Sequence, residues 1–349
     1  MSEPIRTSVS TAAWLDWITN LMGTSRQSHA ATFPADRYFC LLDELPLHLV
    51  PLAARARLHS YDERETAPVL NPECLFSYGE SLPQDLSALK ELTSGFALRG
   101  TIAWVRDPAM GSFHPFWLGP RLEGAVGRLR RKETASQLDS RERALLVQAG
   151  ILKSPESDGM QASSRGHFEQ AARRFQEKEY APLVGLIHPF EVAALRRYYR
   201  YLIRRGAISL GDGQSSRRYV AHNEPVARFF HNRIARVLSM IAGEHLKPSY
   251  VYLASYQEGA ELKKHTDREQ CDFSVTLCLD FSPEPVHETL WPIRLETSSG
   301  DVVVYQALGE GLAYRGTRLP HYRSPLGKGQ TSTSIFFHYV RADFSGPLD

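Results

Sequence analysis

Cysteine is scarce in this sequence, and its four copies are scattered without regular spacing. None of them forms a Cys-x-x-Cys pair, so the pattern predicts neither a structural zinc site nor a disulfide framework. Long apolar runs are missing too, and no stretch approaches the roughly 20 residues that a membrane-spanning helix requires. The first residues, from Met1 to Arg6, are not followed by the apolar core of a secretion signal. We therefore expect a protein of the reducing cytoplasm.

An excess of either charge is also absent. The chain has 41 basic and 39 acidic residues, which gives a formal net charge of +2. This balance gives no reason to expect a nucleic acid or a membrane as a partner. A hydrophobic content of 42% over 349 residues is typical of a globular protein with about two domains.

A histidine and a carboxylate stand two residues apart at His265 and Asp267, in β-rich sequence that precedes the apolar run 273–281. Side chains two apart on a strand point to the same face, so this imidazole and carboxylate can converge on one point. A second histidine, His321, follows on a later predicted strand. Two histidines and one carboxylate match the facial triad of non-haem Fe(II) oxygenases, which leaves other positions of the metal open. The alternative is a hydrogen-bonded pair at the surface.

Two other late histidines compete with His321 for the distal position. His287 lies in a loop soon after Asp267, which is too early for a late strand. His338 falls within the apolar final strand predicted over residues 332–340, where a structural role is expected. We therefore prefer His321.

Three segments carry a resemblance to a known family. The segment from Tyr256 to Asp267, with its Tyr-x-x-Gly start, resembles the proximal motif of the 2-oxoglutarate- and Fe(II)-dependent dioxygenases, in the prolyl-4-hydroxylase-like branch. The run from Gly300 to Tyr305 is similar to the strand that precedes the distal histidine in that family, and His321 to Gly329 is similar to its distal motif. The resemblance extends over about residues 167 to 341.

The resemblance implies an α+β fold with a double-stranded β-helix core, a jelly-roll of eight strands in two facing sheets. Strong helical patterns over residues 189–205 and 225–243 predict the helices that buttress such a core. The resemblance further implies Fe(II) held by His265, Asp267 and His321, with 2-oxoglutarate as cosubstrate and O₂ as oxidant. The implied reaction is hydroxylation of an unactivated C–H bond.

The far carboxylate of 2-oxoglutarate needs a cation, because an unpaired buried charge is costly. Members of this branch usually carry Arg or Lys about ten residues after the distal histidine, and here that position is Thr331. Arg323 is the leading substitute, because it follows His321 by two residues on the same strand face and its planar fork suits a carboxylate. The alternative for Arg323 is a salt bridge at the rim of the barrel.

Other residues are candidates for contacts to the same carboxylate. Arg294, on a predicted middle strand, is the second candidate cation. Tyr256 matches the family tyrosine that hydrogen-bonds this group, and Thr333 offers a hydroxyl. The predicted cosubstrate contacts are thus Tyr256, Arg294, Arg323, Thr331 and Thr333.

Residues 1–152 show no catalytic spacing and are predicted to be a smaller, mixed α/β accessory domain. Helical patterns occur over 11–25, 121–131 and 139–149, and a strand pattern occurs over 96–105. The last two helices, with Asp139 as an N-cap and a strand after Gly150, resemble a winged-helix-type unit. The alternative is a helical prop packed on the catalytic domain. Ser, Gly and Pro over 153–166 predict a linker, with the dioxygenase domain at 167–349.

The sequence thus predicts a hydroxylase that acts on an amino-acid side chain, in a peptide, carrier-bound or free. Two alternatives stay open: desaturation or ring formation at the same centre, and a family member that binds a ligand or partner without turnover. The departure at Thr331 favours the second alternative, and the intact triad opposes it. No oligomeric state is predicted.

Overall fold

The computed structural model describes the chain from Cys40 onward, with short gaps. The described residues are 40–55, 57–58, 68–79, 81–93, 96, 100–107, 109–131, 134–153 and 157–349. The helix predicted over 11–25 lies outside them, as do residues 97–99 of the strand predicted over 96–105.

The N-terminal region contains a small antiparallel sheet, in which Thr101–Asp107 (β3) is the middle strand between Leu75–Tyr78 (β2) and Ser112–Trp117 (β4). Its centre is buried because Ile102, Ala103 and Trp104 are fully enclosed. The helices and strands are α1 (Leu52–Arg55), β1 (Val69–Leu70), β2 (Leu75–Tyr78), α2 (Lys90–Thr93), β3 (Thr101–Asp107), β4 (Ser112–Trp117), α3 (Pro120–Arg130), α4 (Ser140–Gln148) and β5 (Leu152–Lys153). Short 3₁₀ turns occur at Leu42–Glu44, Leu47–Leu49, Gln84–Leu89 and Ala135–Gln137.

Asp139 caps α4, as predicted. Its side chain accepts from the backbone N–H of Glu142 at 2.8 Å, and the Glu142 carboxylate accepts from the backbone N–H of Asp139. After α4, β5 pairs with the distant β1, so no wing hairpin follows this helix in the described residues. The helical-prop alternative fits better, because His188 in the second half of the chain contacts the carbonyl of Gln148 on α4 at 3.1 Å.

Three long helices follow: α5 (Ser157–Lys178), α6 (Pro189–Arg204) and α7 (Pro225–Ala242). The last two confirm the predicted helices, and α7 ends at Gly243, whose φ of 72° is left-handed. The prediction of an irregular linker is wrong for residues 157–166, because α5 already includes them. Helix propagation is cooperative, so a segment anchored by the buried Phe168 and Phe175 extends through the polar residues before it.

The second half of the chain confirms the predicted jelly-roll. Its strands are β6 (Tyr180–Leu183), β7 (Ser209–Leu210), β8 (Arg218–His222), β9 (Leu246–Tyr256), β10 (Leu262–His265), β11 (Phe273–Ser282), β12 (Ile293–Thr297), β13 (Gly300–Val304), β14 (Gly311–Arg315), β15 (His321–Arg323) and β16 (Thr331–Arg341). Eight of them form the two sheets of the jelly-roll, four in each: β14, β11, β16 and β9 in one, and β10, β15, β12 and β13 in the other. The larger sheet is extended by β6 on one edge and by β8 and β7 on the other. A 3₁₀ turn, Glu269–Cys271, precedes β11.

Each face of the larger sheet has its own core. The outer face contributes residues such as Leu253, Ile335 and Phe337 to a cluster shared with the helices. The inner face packs against the smaller sheet, so that Leu312 on β14 belongs to the same cluster as Leu295 on β12. Alternate residues of each strand therefore point either to the helices or into the barrel.

The outer core also includes the N-terminal region, since Trp104 of β3 and Phe190 of α6 belong to one cluster. A buried ionic group crosses the same boundary. His114 on β4 lies 2.8 Å from a carboxylate oxygen of Glu191 on α6, and Glu191 pairs with Arg233 on α7 at 2.5 Å. The N-terminal region thus packs on the helices as a continuous layer, while the domain boundaries stay a prediction.

Candidate active site

His265 and His321 lie side by side because their strands pair. His265 ends β10, His321 begins β15, and the two are directly opposed in the antiparallel ladder. Their ring centroids are 4.4 Å apart. Asp267 places Oδ1 3.5 Å from Nε2 of each histidine. The structure thus brings the three predicted triad residues together, with one potential ligand atom from each within 4.8 Å of the others.

Backbone carbonyls orient both imidazoles. Nδ1 of His265 lies 2.8 Å from the carbonyl oxygen of Lys263, and Nδ1 of His321 lies 3.0 Å from that of Leu319. A carbonyl only accepts, so each Nδ1 carries the hydrogen, and in the neutral ring Nε2 keeps its lone pair. Metal-binding histidines are commonly fixed in this way through their second nitrogen. Both lone pairs face the space beside Asp267.

The carboxylate of Asp267 is also fixed. Its Oδ2 accepts from the hydroxyl of Ser274 at 2.9 Å, and its backbone N–H donates to the carbonyl of Gly316 at 2.9 Å. A Cβ at Gly316 would collide with Oδ2 of Asp267 and with the carbonyl of Cys271, so only glycine allows this approach. Oδ1 is thereby left facing the histidines.

The three groups influence one another's ionisation. Burial opposes the ionised form of Asp267, but the imidazoles of His265 and His321, each 3.5 Å away, hold the pKa of this carboxyl well below its ordinary value. The bond to Asp267 raises the pKa of His265, although burial acts in the opposite direction. A metal and a proton therefore compete for Nε2 of His265, because an imidazole binds a metal through an unprotonated nitrogen.

A second group of potential ligands shares Asp267 and includes Cys271 and His338. Cys271 is a poor ligand, because burial raises the pKa of its thiol to about 12 and metals bind the thiolate. Nδ1 of His338 lies 2.9 Å from the hydroxyl of Ser274, which also contacts Asp267. His338 thus supports the triad through Ser274, consistent with the structural role expected for it.

Arg323 lies inside the barrel on the same face of β15 as His321, with the half-buried Tyr322 between them. It is 5% exposed. Its guanidinium donates to the carbonyl of Trp291 and to Oε1 of Gln306 at 3.2 Å, and it lies 4.8 Å from the Trp291 ring centroid. Among the described residues no carboxylate forms an ion pair with Arg323, so the rim salt bridge is not observed. A buried cation without a counter-ion is costly, and an anionic ligand would supply the missing charge.

Tyr256 reaches the same interior from the larger sheet. It ends β9, is 1% exposed, and packs edge-on against Trp291 with centroids 4.9 Å apart. Around it lies a small apolar cluster that includes Cys278, Phe281, Leu326 and Phe336. Trp291 therefore contacts both Tyr256 and Arg323.

Arg294 does not join this group. It is opposed to Tyr322 across the β12–β15 ladder, whereas its neighbour Leu295 is opposed to His321. Opposed residues share a face, so Leu295 points into the barrel and Arg294 points away from it. The expectation of a cosubstrate contact from Arg294 therefore disagrees with the strand register.

Thr331 and Thr333 are also on the wrong face. The residues of β16 that point into the barrel are Ser332, Ser334 and Phe336, since Ser332 is opposed to Tyr256 and Phe336 belongs to the inner cluster. Thr333 lies on the alternate face and donates to the hydroxyl of Ser255 at 2.8 Å. Neighbouring residues of a strand point to opposite faces, so an error of one residue places a side chain on the wrong face. The sequence distance from the distal histidine does not fix the face, and both threonines were therefore misplaced.

Several site residues were not predicted. Ser274 and Gly316 contact Asp267, Trp291 and Gln306 hold Arg323, and Arg218 donates to the Tyr256 hydroxyl at 3.3 Å. A weak signal was present for Ser274 alone, as a polar residue at the start of an apolar strand. The other contacts depend on strand pairing that one sequence does not reveal.

His287, the other candidate for the distal metal ligand, does not join the triad. His287 is exposed in the loop before β12 and belongs to no metal-binding group of the described residues. Two arginines close to the triad in the sequence, Arg315 and Arg318, form ion pairs with Asp272 at 2.9 Å and with Glu179 at 2.6 Å.

Comparison with known proteins finds similarity at the level of structure alone. No family model and no curated protein matches the sequence. Among solved structures, the α-ketoglutarate-dependent epimerase SnoN from nogalamycin biosynthesis shares 15% identity, with a TM-score of 0.43, over 51% of this chain and 82% of that chain. A Pseudomonas putida prolyl-4-hydroxylase shares 17% identity, with a TM-score of 0.42, over 50% and 98%.

A third similar structure is EctD from S. alaskensis with 2-oxoglutarate and 5-hydroxyectoine, at 17% identity and a TM-score of 0.40, over 49% of this chain and 75% of that chain. Similarity this low does not assign a reaction, so the assignment must come from the side chains of the site itself.

None of the helices in the described residues combines the length and apolar character needed to cross a bilayer.

Proposed function

We propose that this chain is an Fe(II)- and 2-oxoglutarate-dependent dioxygenase that hydroxylates an unactivated C–H bond. One observation carries the proposal: β15 presents, two residues apart on one face, a triad histidine and a buried arginine that pairs with no carboxylate of the described residues. The first residue serves a metal, and the second serves an anion inside the barrel. A single strand thus supplies both ends of a site for an anion that chelates a metal.

The donor set fits Fe(II). Two imidazole nitrogens with free lone pairs and one ionised carboxylate are the ligands of the facial triad, and they leave the other positions of the metal open. His265, Asp267 and His321 would hold the ion, and Lys263, Leu319, Ser274 and Gly316 orient these ligands through the contacts described above. When bound, the iron would activate O₂ and the keto acid together, while the protein holds the geometry and excludes water.

The interior also fits the far carboxylate of 2-oxoglutarate. Arg323 offers a planar donor group that suits a carboxylate, and it lies in apolar surroundings that strengthen such an interaction. Tyr256 adds a hydroxyl near the same point. Arg323 thus replaces the cation that the family motif would place at Thr331.

For the substrate we propose an amino-acid side chain, in a peptide, carrier-bound or free. Two tyrosines of β9, Tyr250 and Tyr252, share the inward face with Tyr256. The hydroxyl of Tyr250 is hydrogen-bonded to Arg268 and that of Tyr252 to Asp212. Both rings are therefore held in place and can contact a substrate through their aromatic edges. Desaturation and ring formation would use the same centre, and product mass separates them, since hydroxylation adds one oxygen atom while both alternatives remove two hydrogen atoms.

Two assays test the proposal. Equilibrium dialysis against Fe(II) under anaerobic conditions should give one tightly bound ion per chain, and His265→Ala or Asp267→Ala should abolish it. Aerobic incubation with Fe(II) and 2-oxoglutarate should release succinate slowly without substrate, and faster with the right peptide or amino acid. Tight Fe(II) binding without any succinate, from folded protein, would favour the non-catalytic alternative instead.

A further inference from the structure

A buried ion pair stands beside Tyr256 on the larger sheet. Arg218, which begins β8, is 4% exposed and pairs with Asp212 in the β7–β8 hairpin. Nη2 and Nε of Arg218 lie 2.5 Å and 3.0 Å from Oδ2 of Asp212. Nη2 also donates to Oε1 of Gln214 at 2.6 Å. These bonds fix the plane of the guanidinium and leave Nη1 to point elsewhere.

Asp212 has no remaining capacity for a ligand. Besides Arg218, its carboxylate accepts from the hydroxyl of Tyr252 at 2.5 Å and from the backbone N–H groups of Gln214 and Ser215 at 2.9 Å and 2.8 Å. Burial acts against ionisation, but the bonds from Arg218 and Tyr252 lower the pKa of Asp212 to about 2. The pair is therefore neutral as a whole and saturated, which does not suit it to the amine or acid of a substrate.

Nη1 of Arg218 contacts the hydroxyl of Tyr256 at 3.3 Å. A guanidinium only donates, so the Tyr256 oxygen is the acceptor and its own hydrogen is free for another partner. Within the described part of the chain, no hydrogen bond in which Tyr256 donates is found. Burial raises the pKa of Tyr256, which keeps this hydrogen in place at neutral pH.

We propose that Arg218, held by Asp212, is a positioning residue for Tyr256. It occupies the acceptor side of the hydroxyl, so that the hydrogen points to the carboxylate of 2-oxoglutarate beside Arg323. This inference rests on the proposed function, because 2-oxoglutarate supplies the acceptor. The site thus has two guanidiniums with different tasks: Arg323 binds the anion, and Arg218 orients a neutral donor.

A double-mutant cycle tests this coupling. The variants are Tyr256→Phe, the charge-neutral double variant Arg218→Met with Asp212→Asn, and the three substitutions combined. The double variant avoids an unpaired buried carboxylate, which would disturb folding. The matched control is Arg217→Met, which removes the neighbouring exposed arginine, whose side chain donates to the backbone of Glu258.

Two constants are measured for each protein under anaerobic conditions: the Fe(II) affinity, and the 2-oxoglutarate dissociation constant of the Fe(II)-loaded protein by calorimetry. We expect Tyr256→Phe to weaken 2-oxoglutarate about tenfold, the size expected for a hydrogen bond to a charged group. The double variant should weaken it similarly, and the triple variant should be no weaker than Tyr256→Phe. Fe(II) affinity should stay unchanged throughout, as should every constant of the Arg217→Met control.

Independent effects that multiply in the triple variant would overturn the inference, as would wild-type 2-oxoglutarate affinity in the double variant. Both outcomes leave the proposed function standing. If the wild-type protein binds Fe(II) but no 2-oxoglutarate, the proposed function fails and this inference fails with it. The wild-type measurement therefore separates the two failures.

Discussion

Replacing Arg323 by methionine removes the cation from the barrel while filling most of its volume. Arg323 is 5% exposed, so a carboxylate bound beside it is desolvated as well. Truncating one partner of such a buried, hydrogen-bonded charge pair costs about 2–5 kcal/mol. A mid-range loss of about 3 kcal/mol corresponds to a 2-oxoglutarate dissociation constant roughly 100-fold higher, since about 1.4 kcal/mol is tenfold.

The same change should leave the apoprotein folded. Methionine loses the bonds to the Trp291 carbonyl and the Gln306 side chain, but it also removes an uncompensated buried charge. These effects oppose each other, so the free energy of unfolding should change little. Thermal unfolding with and without Fe(II) and 2-oxoglutarate measures both quantities at once, because a ligand that binds only the native state raises Tm. We expect a near-normal apo Tm and a lost 2-oxoglutarate-dependent rise.

Arg294→Met is the matched control. It removes the same side chain from the neighbouring strand, but on the face that points away from the triad. The control should bind 2-oxoglutarate as the wild type does. If Arg323→Met retains wild-type affinity, or if Arg294→Met is the variant that loses it, the assignment of the carboxylate anchor is refuted.

Three further predictions follow from other parts of the molecule. Gly316→Ala should weaken Fe(II) binding by about 10- to 100-fold in dialysis, the usual effect of disturbing a residue that orients a ligand, because the added methyl group displaces Asp267. The control Gly124→Ala on α3, where a Cβ makes only an ordinary contact with Arg128, should leave Fe(II) binding unchanged, and equal Fe(II) affinities of the two variants would contradict the close approach at Gly316. Burial lowers the pKa of His231 from 6.5 to about 3 in the folded protein. Below pH 6.5 the unfolded chain therefore takes up a proton at His231 that the folded protein does not, and the free energy of unfolding should fall by about 3 kcal/mol at pH 4. His231→Gln should flatten the denaturant-measured stability between pH 6.5 and 4, and an unchanged slope would refute that origin. Deleting residues 1–152 should cause aggregation or loss of cooperative unfolding, because the deletion exposes the core that this region shares with α6 and α7. A truncated protein that is monomeric and unfolds cooperatively would contradict this and establish the remaining chain as an independent domain.

The triad could be predicted from the sequence because its geometry is local. The two-residue spacing of His265 and Asp267 predicted that they converge, as on one face of a strand. The structure brings them together although β10 ends at His265 and Asp267 lies just beyond it. His321 required the assumption of pairing between distant strands, and the family resemblance supplied it. Arg323 followed from the same period once His321 was chosen. The helices α6 and α7 were found for a similar reason, since their apolar stripes and proline-initiated first turns are written in consecutive residues.

The misplaced residues depended on long-range register. Arg294, Thr331 and Thr333 each lie on a strand of the barrel. Which face they occupy is decided by how β12 and β16 pair with their neighbours, and a step of one residue exchanges the faces. The contact between Arg218 and Tyr256 could not be predicted for the same reason, because it depends on the pairing of β8 with β9.

The central claim is that one barrel binds Fe(II) through the triad and 2-oxoglutarate through the metal and Arg323 together. Anaerobic absorbance spectroscopy tests it most directly: Fe(II) is added to the protein first, and 2-oxoglutarate second. A keto acid chelating Fe(II) gives a weak visible charge-transfer band. We predict that this band develops with the wild-type protein, requires His265, Asp267 and His321, and needs far more 2-oxoglutarate in Arg323→Met. A well-folded wild-type protein that binds Fe(II) and shows no band at saturating 2-oxoglutarate would contradict the claim.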